Sequence, residues 1–346
     1  MGLDLSDLSV KFIRFDERGG SSIEVRYAGS VELAPGIVVN GNIEKPKELS
    51  AILSDLKTDD GRKIRDNFVV TSLPEEKGFI QILRLAKVKS ENLEAAVRWE
   101  LESAVPLPIE EIYFDYETVL SAAHSDHTDV FMLAYPRSVV DSYASVLRGA
   151  GLVPVALELE SQAVVRALIN PMELLPTLVI DIGATRTSFV LAANGGIIHT
   201  STMAISGQSF EDEIAKSLGV SREKARELKV TLGLSVKKGG GEVARALAGT
   251  LQLLIEEILR HIEFYRDHAK DRGEAGDNIE KIVLTGGDSN LIGIESYLAR
   301  SLKVLVERGN PFGRALARMG ETTPPIPANA AHAYTTAIGL ALRGIL

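Results

Sequence analysis

Ile180-Asp181-Ile182-Gly183-Ala184-Thr185-Arg186-Thr187-Ser188-Phe189 decides the fold, because it aligns without gaps on Leu3-Asp4-Leu5-Ser6-Asp7-Leu8-Ser9-Val10-Lys11-Phe12. Each copy reads as an apolar strand, an aspartate, a turn of small or polar residues and a return strand. Two of the ten positions are identical, Asp4 with Asp181 and Phe12 with Phe189. Each copy also opens a similar run of strands, and a repeat period this long reports duplicated domains rather than a stack of short units. Two aspartate-tipped hairpins facing each other suit a nucleoside triphosphate. The turn N–H groups form an anion-binding nest. The carboxylates of Asp4 and Asp181 suit Mg²⁺, a hard cation that takes one or two carboxylates together with phosphate.

Outward from the first copy, the pattern predicts strands at 3–5, 10–15 and 23–30, then a helix after Pro46 with Leu49, Ile52, Leu53 and Leu56 on one face. Strands at 68–72 and 79–85 precede a helix capped by Ser90 and ended by Pro106 and Pro108. Strands at 113–120 and 130–135 and a helix at 137–149 complete this block. From residue 153 the pattern restarts with a strand, a helix at 160–168, the second hairpin at 178–193 and a strand at 197–205. Helices at 210–218 and 221–232 lead to a break at Gly239-Gly240-Gly241. Val243, Leu247, Leu251, Leu254, Ile258, Ile262 and Tyr265 then form one apolar helical face, which is core packing. A strand at 282–285, a helix at 290–302 and a last helix at 330–342 follow. Strands alternate with helices throughout, so the class is α/β.

The 346 residues are 45% hydrophobic and 25% charged, an ordinary globular balance with room for about two domains. No cysteine is present, which excludes disulfides, thiolate nucleophiles and cysteine-ligated metals. A net charge of −9 argues against nucleic acid or anionic lipid as partner. No apolar run reaches the roughly 20 residues of a membrane span, and Asp4 and Asp7 interrupt any signal peptide. A soluble cytoplasmic protein is expected, touching a membrane only through a partner.

Thr285-Gly286-Gly287-Asp288-Ser289-Asn290-Leu291-Ile292-Gly293 is a third element: a strand, a glycine turn and a helix start, where a base or ribose approaches backbone closely. No P-loop, G-x-G-x-x-G, H-E-x-x-H or G-x-S-x-G motif occurs. His124 and His127 read as loop residues rather than metal ligands, because no second ligand cluster completes a site. His261 and His268, seven apart on the long helix, read as surface or core histidines. Trp99 is expected in the core, and Glu256 and Glu257 on a solvated face with Arg260.

In this order the segments resemble the actin-like ATPases, and more closely the PilM family, cytoplasmic actin-like proteins of type IV pilus assembly. The resemblance is carried by Gly2-Leu3-Asp4 with Val10-Lys11, Val105-Pro106-Leu107, Asp115-Tyr116 and Gly149-Ala150-Gly151-Leu152. It continues through Asp181-Ile182-Gly183-Ala184, Ala225-Arg226-Glu227-Leu228-Lys229, Glu257-Ile258-Leu259-Arg260, Thr285-Gly286-Gly287, Asn310-Pro311-Phe312 and Gly339-Leu340-Ala341-Leu342-Arg343. It implies a duplicated actin-like (ribonuclease-H-like) α/β fold. Subdomain I would span 1–170, with a small insert at about 75–155 and the C-terminal helix, 328–346, packed back on it. Subdomain II would span 171–325.

The resemblance further implies ATP and Mg²⁺ as cofactors. Asp4, Ser6, Ser9 and Lys11 would form the first phosphate loop, and Asp181, Gly183 and Thr187 the second, with Asp4 and Asp181 on the metal. Glu160 matches the acid that positions water or metal, and Asp181 is the second catalytic candidate. Gly207, Glu227, Lys229, Gly286, Gly287 and Asp288 would surround ribose and base. Ser6-Asp7-Leu8 departs from the glycine and small hydroxyl residues of relatives, and Ala184 and Thr185 stand where many have glycines. An acid at that turn repels phosphate and Leu8 takes up room, so at most a weak ATPase is expected. The implied role is a scaffold that docks the cytoplasmic tail of a PilN-like inner-membrane protein near the pilus motor ATPases. The tail would lie beside the insert, against apolar residues of segment 98–108 and the cations Arg84, Lys87 and Lys89. An FtsA-like cell-division protein or an actin-fold small-molecule kinase would share the fold. The former adds a basic amphipathic C-terminal helix, which Arg343-Gly344-Ile345-Leu346 does not provide, and the latter a substrate-facing base.

Overall fold

The two aligned segments form hairpins in one register. Leu3 pairs with Phe12, Asp4 with Lys11 and Leu5 with Val10; Ile180 pairs with Phe189, Asp181 with Ser188 and Ile182 with Thr187. The computed structural model describes residues 1–19, 22–58, 61–86, 90–118, 127–173, 175–193, 196–269, 278–319 and 323–345.

The chain begins with β1 (Gly2–Leu5), β2 (Ser9–Arg18), β3 (Ser22–Glu32), the short strands β4 (Val38–Val39) and β5 (Asn42–Ile43), α1 (Pro46–Ser54) and β6 (Phe68–Leu73). An insert follows, with β7 (Phe79–Ala86), α2 (Ser90–Ala104), β8 (Ile112–Thr118) and β9 (His127–Pro136). Next come α3 (Arg137–Gly149), β10 (Val153–Leu159) and α4 (Glu160–Leu168). The second half carries β11 (Thr177–Ile182), β12 (Thr187–Ala193), β13 (Gly196–Met203), α5 (Gly207–Leu218), α6 (Arg222–Thr231), α7 (Val236–Gly239), α8 (Glu242–Ala246) and α9 (Ala248–Ala269). It continues with β14 (Lys281–Thr285), α10 (Ile294–Leu302) and β15 (Leu305–Arg308), before α11 (Gly313–Met319), α12 (Ala328–Ala331) and α13 (Thr335–Ala341).

The sheets repeat each other strand for strand. One runs β3-β2-β1-β6-β10 and the other β13-β12-β11-β14-β15. In each, the first three strands are antiparallel and the last two add parallel to the central strand. The aspartate-bearing strands β1 and β11 are therefore central, and strand order reverses beside them, where ligands of open α/β sheets sit.

The apolar stripe from Val243 to Tyr265 is buried against the second sheet, although the helix is interrupted at Leu247. α5 starts at Ser206, whose hydroxyl accepts from Ser209 N, and stops at Gly219 in the left-handed region, an ordinary pair of caps.

Three expectations need correction. The insert is narrower than 75–155. Its sheet, ordered β7-β9-β8, and α2 enclose a core of Leu83, Val97, Leu101, Val105, Ile112 and Met132. α3 instead packs Tyr143, Val146 and Leu147 with Leu49 and Leu53 in the first-half core, and β10 pairs with β6. Second, the chain returns to the first half before residue 325, because Phe312, Ala315 and Met319 cluster with Ile13, Phe15 and Ile338. Third, Trp99 is 72% exposed: α2 turns Val97 and Leu101 inward, and a residue two positions from each faces away.

The last helix is seated by backbone contact. A Cβ at Gly339 would collide with the backbone of Ala163 on α4, and one at Gly2 with that of Ala337. Glu158, buried at 2% exposure, accepts both Arg166 Nη1 at 2.6 Å and Nη2 at 2.8 Å, and also Arg343 beyond α13.

Candidate functional site

A cleft of about 240 Å³ opens where the two hairpins, the start of α4 and the Gly286–Gly287 turn meet. Asp4, Ser6, Leu8, Ser9 and Lys11 line one wall. The turn 183–186 lines the other, and Glu160, Asp181, Gly286, Gly287 and Asp288 close the floor and side.

The aspartates carry the electrostatics. Asp4 is 7% exposed and accepts a hydrogen bond from Ser72 Oγ at 3.4 Å. Burial pushes its carboxyl up, while Lys11 and Arg186 pull it back. Asp181 is pushed up to about 6 by burial and then by Asp4, against Lys11 and Arg186. Among the described residues neither carboxylate has a cation within ion-pair distance. Two desolvated carboxylates at one site gain from a divalent cation, so the donor set fits Mg²⁺. Lys11 Nζ donates to Ser9 Oγ at 2.6 Å and stands in the same wall.

Asp7 does not act as expected. Its carboxylate accepts from Asn40 N at 3.1 Å and Gly41 N at 3.0 Å, facing away from the cleft wall, so the acid is not aimed at a phosphate. Leu8 does line the cleft and takes the room anticipated.

The second turn is tied at both ends. Gly183 N donates to Arg186 O at 2.9 Å, and Gly183 O accepts from Gly207 N at 2.9 Å. Gly286, with φ +86, sits where a Cβ would collide with the Asp181 carboxylate and the Ile182 carbonyl. Only glycine lets these strands close on one another there.

The chain matches, over residues 2–345, the family described as type IV pilus assembly protein PilM. It belongs to that family. A solved PilM-PilN type IV pilus biogenesis complex superposes with a TM-score of 0.80 at 26% identity, covering 100% of this chain and 98% of that one. The ethanolamine utilization protein EutJ of Carboxydothermus hydrogenoformans shares the fold, with TM-score 0.59 and 16% identity over 99% of this chain and 88% of that one. The cell division protein FtsA of Agrobacterium fabrum is 29% identical over 194 residues, half of this chain and 41% of that protein. The chain thus matches about two fifths of the length of its first curated relatives. The duplicated sheets are those of the actin-like α/β fold, as expected.

Within this PilM-family chain, the predicted site residues separate into three groups. Asp4, Ser6, Ser9, Lys11, Glu160, Asp181, Gly183, Gly286, Gly287 and Asp288 share the cleft. Gly207 and Lys229 stand behind it: Lys229 Nζ donates to Asp288 at 2.6 Å, Glu211 at 2.7 Å and Gly207 O at 3.2 Å. Thr187 and Glu227 lie outside the cleft. The Thr187 hydroxyl donates to Ile205 O at 2.7 Å. The Glu227 side chain is 58% exposed and pairs with Lys224.

Arg186 was missed by sequence reasoning. Nη2 donates to Glu160 Oε1 at 2.9 Å, and Nη1 lies 3.1 Å from Glu76 Oε1. Burial pushes Glu160 up to about 8, with Arg186 opposing. His332 was missed too; it lines the cleft with Nδ1 buried and unpartnered. Among the described residues no group of three or more His, Cys, Asp or Glu forms a metal cluster. His261 is a core residue held by Ser201 and the Glu257 carbonyl, and Glu257 pairs with Arg260. His268 bonds the Phe264 carbonyl on the same helix. His127 stands in β9, 3.7 Å from Asp129, and His124 lies outside the described residues.

The raised Asp181 carboxyl sets a pH dependence. Its proton is held more tightly in the folded chain, so the stability it contributes is complete below about pH 4 and lost as pH rises through about 6. Without magnesium, Asp181→Asn should exceed the wild type in stability at pH 7.5 by about 3 kcal/mol, at 1.36 kcal/mol per pKa unit. The gap should close near pH 4. Urea unfolding at both values checks this, and a gap independent of pH contradicts it.

Proposed function

We propose that this PilM-family chain is a nucleotide-binding scaffold of type IV pilus assembly, taking Mg-ATP in the cleft and docking the cytoplasmic tail of a PilN-like inner-membrane protein. The observation that carries the reading is the pair Asp4, buried, and Asp181, partly buried, on one cleft with no ion-pair partner among the described residues. The metal would rest on these carboxylates. The phosphates would meet Lys11 and the 183–185 backbone, with the base and ribose beside Gly286 and Gly287. The Mg²⁺ would offset the charge of the two carboxylates, and the nucleotide held with it would bridge the halves. The cleft is smaller than the about 300–1,000 Å³ of typical ligand pockets, so the nucleotide enters as the halves part. Glu160 is held by Arg186, which favours slow turnover at most and a scaffold role.

The tail would bind as an added strand. In the sheet β7-β9-β8, strand β8 is an edge among the described residues, and its outer backbone groups would pair with the tail. The apolar residues of segment 98–108 do not form the groove expected, because Leu101 and Val105 belong to the insert's own core. Arg84 pairs with Asp129 at 3.1 Å, and Lys87 and Lys89 lie outside the described residues. No described helix is long and apolar enough to cross a membrane, so a PilN-like protein would supply the link to the inner membrane from the cytoplasmic side. That position would place the scaffold within reach of the pilus motor ATPases.

Calorimetric titration with a synthetic N-terminal tail of a PilN-like protein tests the docking. Saturable one-to-one binding is expected, and it should be lost when a proline in the β8 edge blocks pairing. Absence of binding to the wild type contradicts the partner.

A further inference from the structure

We propose that Arg186 couples occupancy of the cleft to the seating of the insert, by exchanging its ion pair with Glu76 for one with a phosphate. This rests on the nucleotide reading above.

The connection is direct. Arg186 closes the turn 183–186 and lines the cleft. Its guanidinium reaches Glu76 at 3.1 Å and Glu160 at 2.9 Å, and the three side chains are 16%, 22% and 15% exposed. Glu76 sits in the single helical turn Glu75–Lys77, three residues before Phe79, where β7 begins the insert. Glu160 opens α4, between the two halves. One cation from the second half therefore holds the root of the insert and the start of the joining helix.

Besides that cation, the root is held by Tyr135 Oη, which donates to Pro74 O at 3.1 Å, and by Ser161 N on Glu75. Glu75, beside Glu76, is 4% exposed; Oε2 accepts from Ser161 N at 3.2 Å, while Oε1 is buried without a partner. Glu75, Glu76 and Glu160 thus gather around Arg186, and burial raises the carboxyls of Glu75 and Glu160. A guanidinium donates bidentately to phosphate as it does to carboxylate. A phosphate in the turn draws Arg186 inward, and Glu76 loses the cation that ties it to the second half. The 75–78 segment loosens, and the insert with its β8 edge shifts on the first half. By linkage, a partner that seats the insert differently changes nucleotide affinity by the same factor.

Hydrogen exchange of the full chain with and without Mg-ATP tests this, read beside thermal melting of the same samples. In the wild type, Mg-ATP should raise melting and speed exchange at 75–86 severalfold. In Glu76→Gln, outside the cleft lining, exchange at 75–86 should already be fast and change little, while the Mg-ATP melting shift persists. A melting shift with unchanged wild-type exchange overturns the coupling alone. So does a Glu76→Gln chain whose exchange responds as the wild type does. No melting shift at all overturns the nucleotide reading and the coupling with it.

Discussion

Asp181→Ala should abolish the rise in melting temperature that Mg-ATP gives the wild-type chain. A ligand at a hundredfold excess over its dissociation constant stabilises by about 2.7 kcal/mol, which is several degrees for a protein of this size. The loss should be complete, because Asp181 is one of the two cleft carboxylates proposed to hold the cation. Removing it also removes the repulsion with Asp4, so the ligand-free variant should melt no lower than the wild type. Differential scanning calorimetry at pH 7.5 separates these effects. A variant that keeps the full Mg-ATP shift contradicts the assignment of Asp181 to the metal.

Gly339→Ala should destabilise the chain by about 3 kcal/mol, the upper end of ordinary overpacking. The added Cβ meets the backbone of Ala163, not the end of a side chain, so no rotamer change relieves it. α13 must lift from α4, and the shared cluster around Ile13, Phe15 and Ile338 opens. The Arg343 pair to Glu158 is strained by the same movement. Equilibrium urea denaturation measures the effect, and an unchanged midpoint contradicts the packing.

Much of the fold was legible because its signal is local. The gapless alignment of Leu3–Phe12 with Ile180–Phe189 predicts two hairpins of one shape, and the structure gives both the same register. The Val243–Tyr265 stripe reports burial, since helical spacing alone puts those residues on one face. What escaped depends on distant partners. Asp7 reads as an acid in a phosphate turn until Asn40 and Gly41 supply the amides it accepts from. Arg186 gains its role from Glu76 and Glu160, which nothing near residue 186 announces. An amphipathic helix does not say which sheet it covers, so α3 was assigned to the insert rather than to the first core. One separation was open to sequence reasoning: Glu227 and Lys229, two apart on α6, cannot share a face, and only Lys229 is buried.

A crystal structure grown with magnesium and a non-hydrolysable ATP analogue tests the central claim most directly. The account predicts the phosphates between the Ser6–Ser9 and Gly183–Arg186 turns, with the metal against Asp4 and Asp181. An analogue bound elsewhere, or a cleft still empty at saturating analogue, would contradict it.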